Sequence, residues 1–409
     1  MWSKASGWKW GFSTRPRSAL TARPLSAPPR RRAPRDPAFR TLILTSIHDI
    51  DSVRWDAIIG LDALPRSHAY LAAVEAAAIH DCQFFYPVVF DHDNQIVAHA
   101  CVYTITTDFA QLLPNFLQGL VRAGRYLWPR FLQALITECA SPLMVGHSIS
   151  IREGENQHRL LLKLADAAAD IAYAQRSAIV VIRDFLNQDR SRFDVLQGHG
   201  FRRVCNLPLA RIEVRWKSYD EYLASMRARY RKDIKRRLAR AAASGQKVKR
   251  VVEFGANAVH WARQAATVFD SAKGFKREAL TADYYANMAH FLGTNSLMLA
   301  VERDGRPIAH GLVLLDDATT IATYFGREPG KPGKEWFVLI NEVIRLGIER
   351  QSRYIQLGLG SYEAKVLVGA TVEPVSIYCM STSAPINWLT RLIPNAFTRE
   401  SKLHATIFR

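Results

Sequence analysis

The sequence predicts an α/β protein built from two similar halves with a basic helix between them. Strand-like and helix-like runs alternate from Thr41 to Met380. A strand, helix, strand, short helix, glycine order recurs at similar spacing in each half, and Tyr219–Arg250 concentrates positive charge where the halves meet. A chain of 409 residues with 48% apolar content has room for two cores of ordinary size.

The net charge of +18 is confined to two places. Residues 1–40 carry ten basic residues against one acidic, and 219–250 carry eleven against three, which leaves the remainder near neutral. The basic pI therefore describes two segments and not a surface with general affinity for polyanions. Residues 1–40, with six prolines, bury too little to offset the entropy of ordering and read as a disordered basic segment. Their Arg/Ser-rich, acid-poor character also fits a transit peptide or a simple basic tail. The five cysteines are widely spaced with no CxxC pair, so they read as free, buried thiols in a reducing compartment, and no metal site is expected. No run reaches the ~20 residues of a membrane helix and no secretory signal is visible, so a cytoplasmic location is expected.

Order begins with a short strand at 41–44 and a helix near 53–61. Ser67–Ile79 follows as an alanine-rich helix with Ser67 as N-cap. Phe84–Phe90 and Ile96–Thr106 form a hairpin around Asp91–Asn94. The Leu- and aromatic-rich Phe109–Glu138 reads as two short helices, core or a lid. Leu143–Ile151 is a strand, His158–Ala174 an amphipathic helix, Ala178–Ile182 a buried strand, and Leu207–Trp216 a strand closing the first half. In the basic stretch Leu223, Met226, Tyr230, Ile234 and Leu238 step by three and four, which makes one helix with an apolar stripe, stopped at Ser244-Gly245. The second half then repeats the plan: strand 248–254, helices 259–271 and 281–292, a hairpin around Asp304-Gly305, strand 319–325, helix 335–349, strand 354–359, short helix 362–368 and strand 375–380. Arg152 to Gly200 spans 48 residues and Arg327 to Gly369 spans 42, so an internal duplication is the simplest account. The expected units are 41–217 and 218–386, with 387–409 as a tail.

Ile355–Tyr378, IQLGLGSYEAKVLVGATVEPVSIY, resembles the closing motif of double GNAT-type acyltransferases, including the acetyltransferase-domain group and the Fem-like peptidoglycan biosynthesis/recognition proteins. Their pattern is a strand ending Gly-x-Gly, then Tyr-x-x-Lys, then Gly-[Ala/Phe], here Gly358, Gly360, Tyr362, Lys365, Gly369 and Ala370. Trp55–Glu75 resembles the opening of the Fem-like group, and Gly245–Val248 ends a basic helix as in those proteins. The chain departs from the pattern in having no basic residue after Gly369-Ala370.

The resemblance implies two tandem GNAT-like domains, mixed sheets flanked by helices. Each sheet would splay between its two central strands to take a thioester. In the second half the loop before helix 335–349 would receive a pyrophosphate on Arg327, Gly330, Lys331, Gly333 and Lys334, because helix N-termini and close-approaching backbone suit anions. Tyr324 backbone would polarise the thioester, with Gly358 and Gly360 lining the site. Tyr362 would protonate the departing thiolate, His310 or Glu363 would accept an amine proton, and Lys365 follows a glycine-rich strand end where open sheets place ligands. Each has a plainer reading: His310 as a satisfied core histidine, Tyr362 as packing, Lys365 and the loop lysines as solvated. Lys273, Lys276 and Arg277 form a second basic cluster suited to an anionic acceptor or carrier.

The expected activity is direct N-acyl transfer from acyl-CoA to an amine-bearing acceptor, small-molecule or cell-envelope, with no covalently bound cofactor. An acyl carrier protein or aminoacyl-tRNA remains open as donor, and so do a catalytically silent scaffold and a nucleic-acid binder. The last rests on charge alone, since no helix-turn-helix or zinc-finger pattern accompanies it. The acyl chain, the acceptor and the oligomeric state are not readable.

Overall fold

The structure is a computed structural model and describes residues 38–113, 115–272, 277–330, 334–383 and 407–408. Most of the basic N-terminal segment, most of the tail, and Lys273, Lys276, Lys331 and Gly333 lie outside them.

The first half opens with β1 (Arg40–Leu44), α1 (Ser52–Asp56), α2 (His68–Ala76), β2 (Gln83–Phe90), β3 (Ile96–His99), β4 (Val102–Asp108) and α3 (Gln118–Leu127). It continues through β5 (Gln133–Cys139), β6 (Ser150–Ile151), α4 (Gln157–Ala174), β7 (Ile179–Leu186), α5 (Arg190–Phe193), α6 (Val195–Gly198) and β8 (Arg202–Cys205). As expected, Ser67 caps α2, its hydroxyl accepting the Tyr70 N–H.

Next come β9 (Leu209–Glu213), α7 (Tyr219–Ser225), α8 (Ala228–Ala243), β10 (Lys247–Val251), α9 (Ala258–Ser271), α10 (Ala282–Leu292), β11 (Ser296–Arg303), β12 (Arg306–Leu315) and β13 (Thr319–Arg327). The last elements are α11 (Glu335–Glu349), β14 (Tyr354–Gly358), α12 (Tyr362–Val366), β15 (Thr371–Glu373) and β16 (Val375–Ser381).

Two mixed sheets result, with the orders β6-β3-β2-β4-β5-β7-β16-β8 and β10-β11-β12-β13-β14-β9-β15. They correspond strand for strand over β2-β4-β5-β7-β16-β8 and β11-β12-β13-β14-β9-β15. The strand that closes each sheet comes from the other half. β9, read from sequence as the end of the first half, pairs antiparallel with β14 and β15 in the second sheet. β16 pairs antiparallel with β7 and β8 in the first. Period-two alternation identifies a strand but not its neighbour, so this exchange was invisible to pattern reading.

Three further elements differ from the sequence reading. The first-half counterpart of β13 is β5, which lies in the stretch read as helix; its last four residues are buried, and it pairs parallel with β7. Most of the strand expected at 143–151 is a loop, with only β6 at its end. The single basic helix is two, because Met226 is extended, bridges to Phe408, and is followed by Arg227 donating its N–H to the Ile407 carbonyl. The stripe survives that break: Leu223, Met226 and Ile234 are buried, and Tyr230 and Leu238 pack partly against the same core.

Three apolar cores hold the sheets. One face of each sheet has a private core, built on α4 in the first and on α11 in the second. The third core is shared: Trp55, Tyr70 and Tyr86 from the first half pack with Trp261, Tyr284, Met288 and Leu312 from the second. No helix among the described residues is long and apolar enough to cross a membrane.

Candidate active site

β13 and β14 run parallel but pair only at Thr319↔Tyr354, Thr320↔Ile355 and Ile321↔Gln356. Beyond Ile321, β13 continues six residues to Arg327 with β12 as its strand partner, while β14 turns to β9. The strands therefore open into a V whose β13 wall has lost its ladder on the inner side. A bulge sits in that wall, because Gly311↔Phe325 is followed by Val313↔Ala322, leaving Thr323 and Tyr324 opposite Leu312. Thr323 Oγ1 fixes the bulge by donating to the Leu312 carbonyl at 2.9 Å. This is the position expected to offer backbone donors. On the facing wall Gly358 has φ +71°, a left-handed backbone that favours glycine.

Lys365 is buried on α12, and its Nζ donates to the Leu359 carbonyl at 2.9 Å, just past the end of β14. Burial pulls its pKa down to about 8. Tyr362, on the same turn, spends its hydroxyl on the Pro208 carbonyl at 2.8 Å and so ties α12 to the entry of β9; burial raises its pKa. Glu363 is exposed. His310 is fully buried on β12, with Nδ1 bonded to Gln264 Oε1 at 2.8 Å and Nε2 to the Tyr285 hydroxyl at 3.0 Å. Burial, then the charge of His260, lowers its pKa to about 3, so it is a neutral core histidine with both nitrogens committed.

The Tyr324 hydroxyl reaches across to the first half and donates to the Leu143 carbonyl at 3.0 Å. Arg327 turns back on its own loop, donating to the carbonyls of Glu328 at 3.1 Å and Gly330 at 2.8 Å. Lys334 caps α11 at the rim of a pocket of about 210 Å³, together with Trp336 and Phe337 of α11, Tyr230 and Arg237 of α8, and Ala364 of α12. The basic helix, the start of α11 and the helix of Lys365 thus meet around one recess. Gly360 lies between β14 and α12 at φ +72°.

Of the second basic cluster, Arg277 is described, and it is the residue whose setting sequence reasoning missed. It crosses the seam between the halves and bonds Glu138 of β5 at 2.5 Å. Glu138 is also held by Arg183 of β7 at 2.8 Å and by the Tyr103 hydroxyl of β4 at 2.5 Å. Burial alone would raise the Glu138 pKa, but the charges of Arg183 and Arg277 reverse that and hold it at about 2. Arg183 also pairs with the buried Asp184, at φ +72° on a second bulge, whose Oδ1 accepts from Asn206. In sequence these are isolated charges inside strands; charges at buried strand positions were the available signal. Cys205, expected to be buried, is exposed.

The profile of the FemAB-like family, described as peptidoglycan biosynthesis/recognition, matches residues 46–362. The chain belongs to the FemAB-like family. Each half has a GNAT-like fold. The crystal structure of FemX matches with a TM-score of 0.54 at 11% identity, over 83% of this chain and 98% of that one. The C-terminal domain of a putative lysylphosphatidylglycerol synthetase from Agrobacterium fabrum matches with a TM-score of 0.51 at 12% identity, over 85% and 96%. At such identities the likeness is one of fold. A putative 8-amino-7-oxononanoate synthase 2 of Mycobacterium tuberculosis is 24% identical over 328 residues, 78% of this FemAB-like chain but 42% of that protein. The chain therefore spans about two fifths of the length of that curated relative.

Proposed function

We propose that this protein is a transferase that moves an acyl group from a thioester donor, acyl-CoA, to an amine-bearing acceptor by direct attack in the V of the second sheet. The observation that carries this reading is the parting of β13 and β14 after three residue pairs, with a bulged backbone on one wall and a buried lysine at the end of the other. The thioester carbonyl would lie at the Thr323–Tyr324 bulge, where fixed backbone dipoles suit a developing oxyanion. The amine forms the C–N bond as the C–S bond breaks. It loses one proton and the thiolate gains one. With the Tyr362 hydroxyl engaged at Pro208, Lys365 is the better proton donor: a pKa of about 8 lies close to that of a thiol. His310, neutral and doubly bonded, is not a base available to substrate, and the proton leaves the amine through solvent or Glu363. The recess between α8, α11 and α12 would hold the nucleotide end of the donor, with Lys334, Arg237 and the N-terminus of α11 facing its phosphates. Domain limits near 41–217 and 218–386, crossed by β9 and β16, and a cytoplasmic location belong to the same reading.

One observation favours aminoacyl-tRNA as an alternative donor: α8 presents Arg229, Lys232, Lys235 and Arg240 on its exposed face beside the same recess. The deciding experiment titrates the protein with acetyl-CoA, a long-chain acyl-CoA and aminoacyl-tRNA, then follows release of free thiol in the presence of amines. The proposal expects a thioester to bind and Lys365→Met to slow its turnover at least tenfold. Binding of tRNA alone, with no thioester affinity, would replace the donor; binding of neither would overturn the site.

A further inference from the structure

Two guanidinium groups meet at the seam between the halves without a carboxylate bonded to either among the described residues. Arg66, in the turn before α2, donates to the carbonyls of Ile149 at 3.2 Å and Ile59 at 3.0 Å, and its Nη1 lies 3.4 Å from Nδ1 of His147. The His147 ring stacks on Phe185 with centroids 5.4 Å apart and lies 5.4 Å from the Phe193 ring. The Arg192 guanidinium is 5.3 Å from the centre of that same Phe193 ring, and its Nε is buried with no hydrogen-bond partner. Both cations act electrostatically on His147. Burial and then the neighbouring Arg192 lower the Arg66 pKa to about 10, burial lowers that of Arg192, and burial with both arginines keeps His147 neutral. Carboxylates do face the group. Asp316 is occupied by the N–H groups of Leu64 and Asp317, each at 3.0 Å, and Asp189 lies within electrostatic reach of Arg192, Arg66 and Arg211 without bonding the first two. Holding two partly buried cations close together is costly unless an anion completes them, and paired guanidinium forks match the geometry of a phosphate or carboxylate.

The location gives the anion a place in the reaction. His147 is four residues from Leu143, whose carbonyl anchors Tyr324 at the β13 bulge. Arg211, facing Asp189, lies on β9 opposite Gln356 of β14, the other wall of the V. The arginines therefore stand beside Phe185 and Phe193 of the first sheet's private core and are linked to the V through Leu143 and Arg211.

We infer that Arg66 and Arg192, beside the His147 ring, form a binding site for an oxyanion, a phosphate ester or carboxylate carried by the acceptor. That the oxyanion belongs to the acceptor rests on the transfer reaction proposed above; the site itself does not depend on it. The test measures thermal stabilisation of the full chain by inorganic phosphate and by acetate, each exchanged against chloride at constant ionic strength. It compares wild type, Arg192→Gln and Arg192→Lys. Arg66→Gln is a poorer probe, since Arg66 also braces two backbone carbonyls. The expected result is saturable stabilisation by one anion, weakened at least tenfold in Arg192→Gln and partly restored in Arg192→Lys; which anion acts identifies the headgroup. Equal responses of wild type and Arg192→Gln, or no preference over chloride, overturn the site. Thioester binding read on the same samples separates the two proposals: anion binding without thioester affinity leaves the oxyanion site standing and removes the transfer reaction.

Discussion

Replacing Lys365 with methionine should make the protein more stable at neutral pH, and the advantage should disappear in alkali. The ammonium is buried with one carbonyl as partner, and its pKa falls from 10.5 to about 8. At roughly 1.4 kcal/mol per tenfold change in proton affinity, the folded state pays about 3 kcal/mol to keep it charged. Below pH 8 both folded and unfolded chains hold the proton, so the whole cost is present. Between 8 and 10.5 only the unfolded chain holds it, so stability rises with pH and the cost fades. Methionine keeps most of the volume but leaves the Leu359 carbonyl unpaired, a loss of about 1 kcal/mol. Lys365→Met should therefore exceed wild type by about 2 kcal/mol at pH 7 and fall level with it, or slightly below, by pH 10. Urea unfolding of the pair at pH 7, 8, 9 and 10 reads this directly, because other titrating groups cancel in the difference. A difference that does not vary with pH, or a variant less stable at pH 7, would refute the buried-ammonium account and with it the matching of Lys365 to a thiolate.

Three other outcomes follow from neighbouring geometry. Glu138→Gln leaves Arg183 with Asp184 and Arg277 with Glu278 but removes the carboxylate the two arginines share, and should cost about 3 kcal/mol in denaturant unfolding. The wild-type contribution is present above pH 4.5 and fades as pH falls toward 2, so the two proteins should converge in acid. Gly326→Ala would put a methyl 2.1 Å from His310 Cε1 and 2.8 Å from the Ala265 nitrogen, and should lower stability by about 1–3 kcal/mol in the same assay. His310, held at about 3, should show no titration of its ring protons by NMR between pH 8 and 5. As pH falls below 6.5 only the unfolded imidazole gains a proton, so this residue also weakens the fold in acid; a midpoint near 6.5 would mean that the Gln264–His310–Tyr285 chain is not formed.

What could be read in the sequence was what local chemistry writes there. Ser67 before an alanine-rich run, Asp304-Gly305 between two apolar runs, and the stripe through Ile234 and Leu238 each specify an element by their own pattern. Lys365 and the β13–β14 opening were located because the Gly358–Gly369 segment follows a family pattern, although the burial of Lys365 was not evident from its place on a short helix. The solvated reading of the loop lysines suited Lys334, whereas Arg277 is enclosed by Glu138 and Glu278. β5 was missed because Gln133–Cys139 alternates for too few residues to stand out beside the aromatic-rich stretch before it. The Arg66–His147–Arg192 group draws on residues far apart in the chain, none of them unusual alone.

The strand exchange bears on how this molecule comes apart. Leu186 pairs with Val375 across nearly the whole intervening half, and Arg211 pairs with Gln356 across almost as long a stretch. No single cut releases both halves with complete sheets, because any cut between β8 and β16 takes β16 from the first sheet. A cleavage after β9 strips the second sheet of the strand between β14 and β15, and one before β16 removes the strand between β7 and β8. Despite three separate cores, the molecule should therefore melt in one cooperative step. Separately expressed halves should be insoluble alone but recover when produced together, each completing the other.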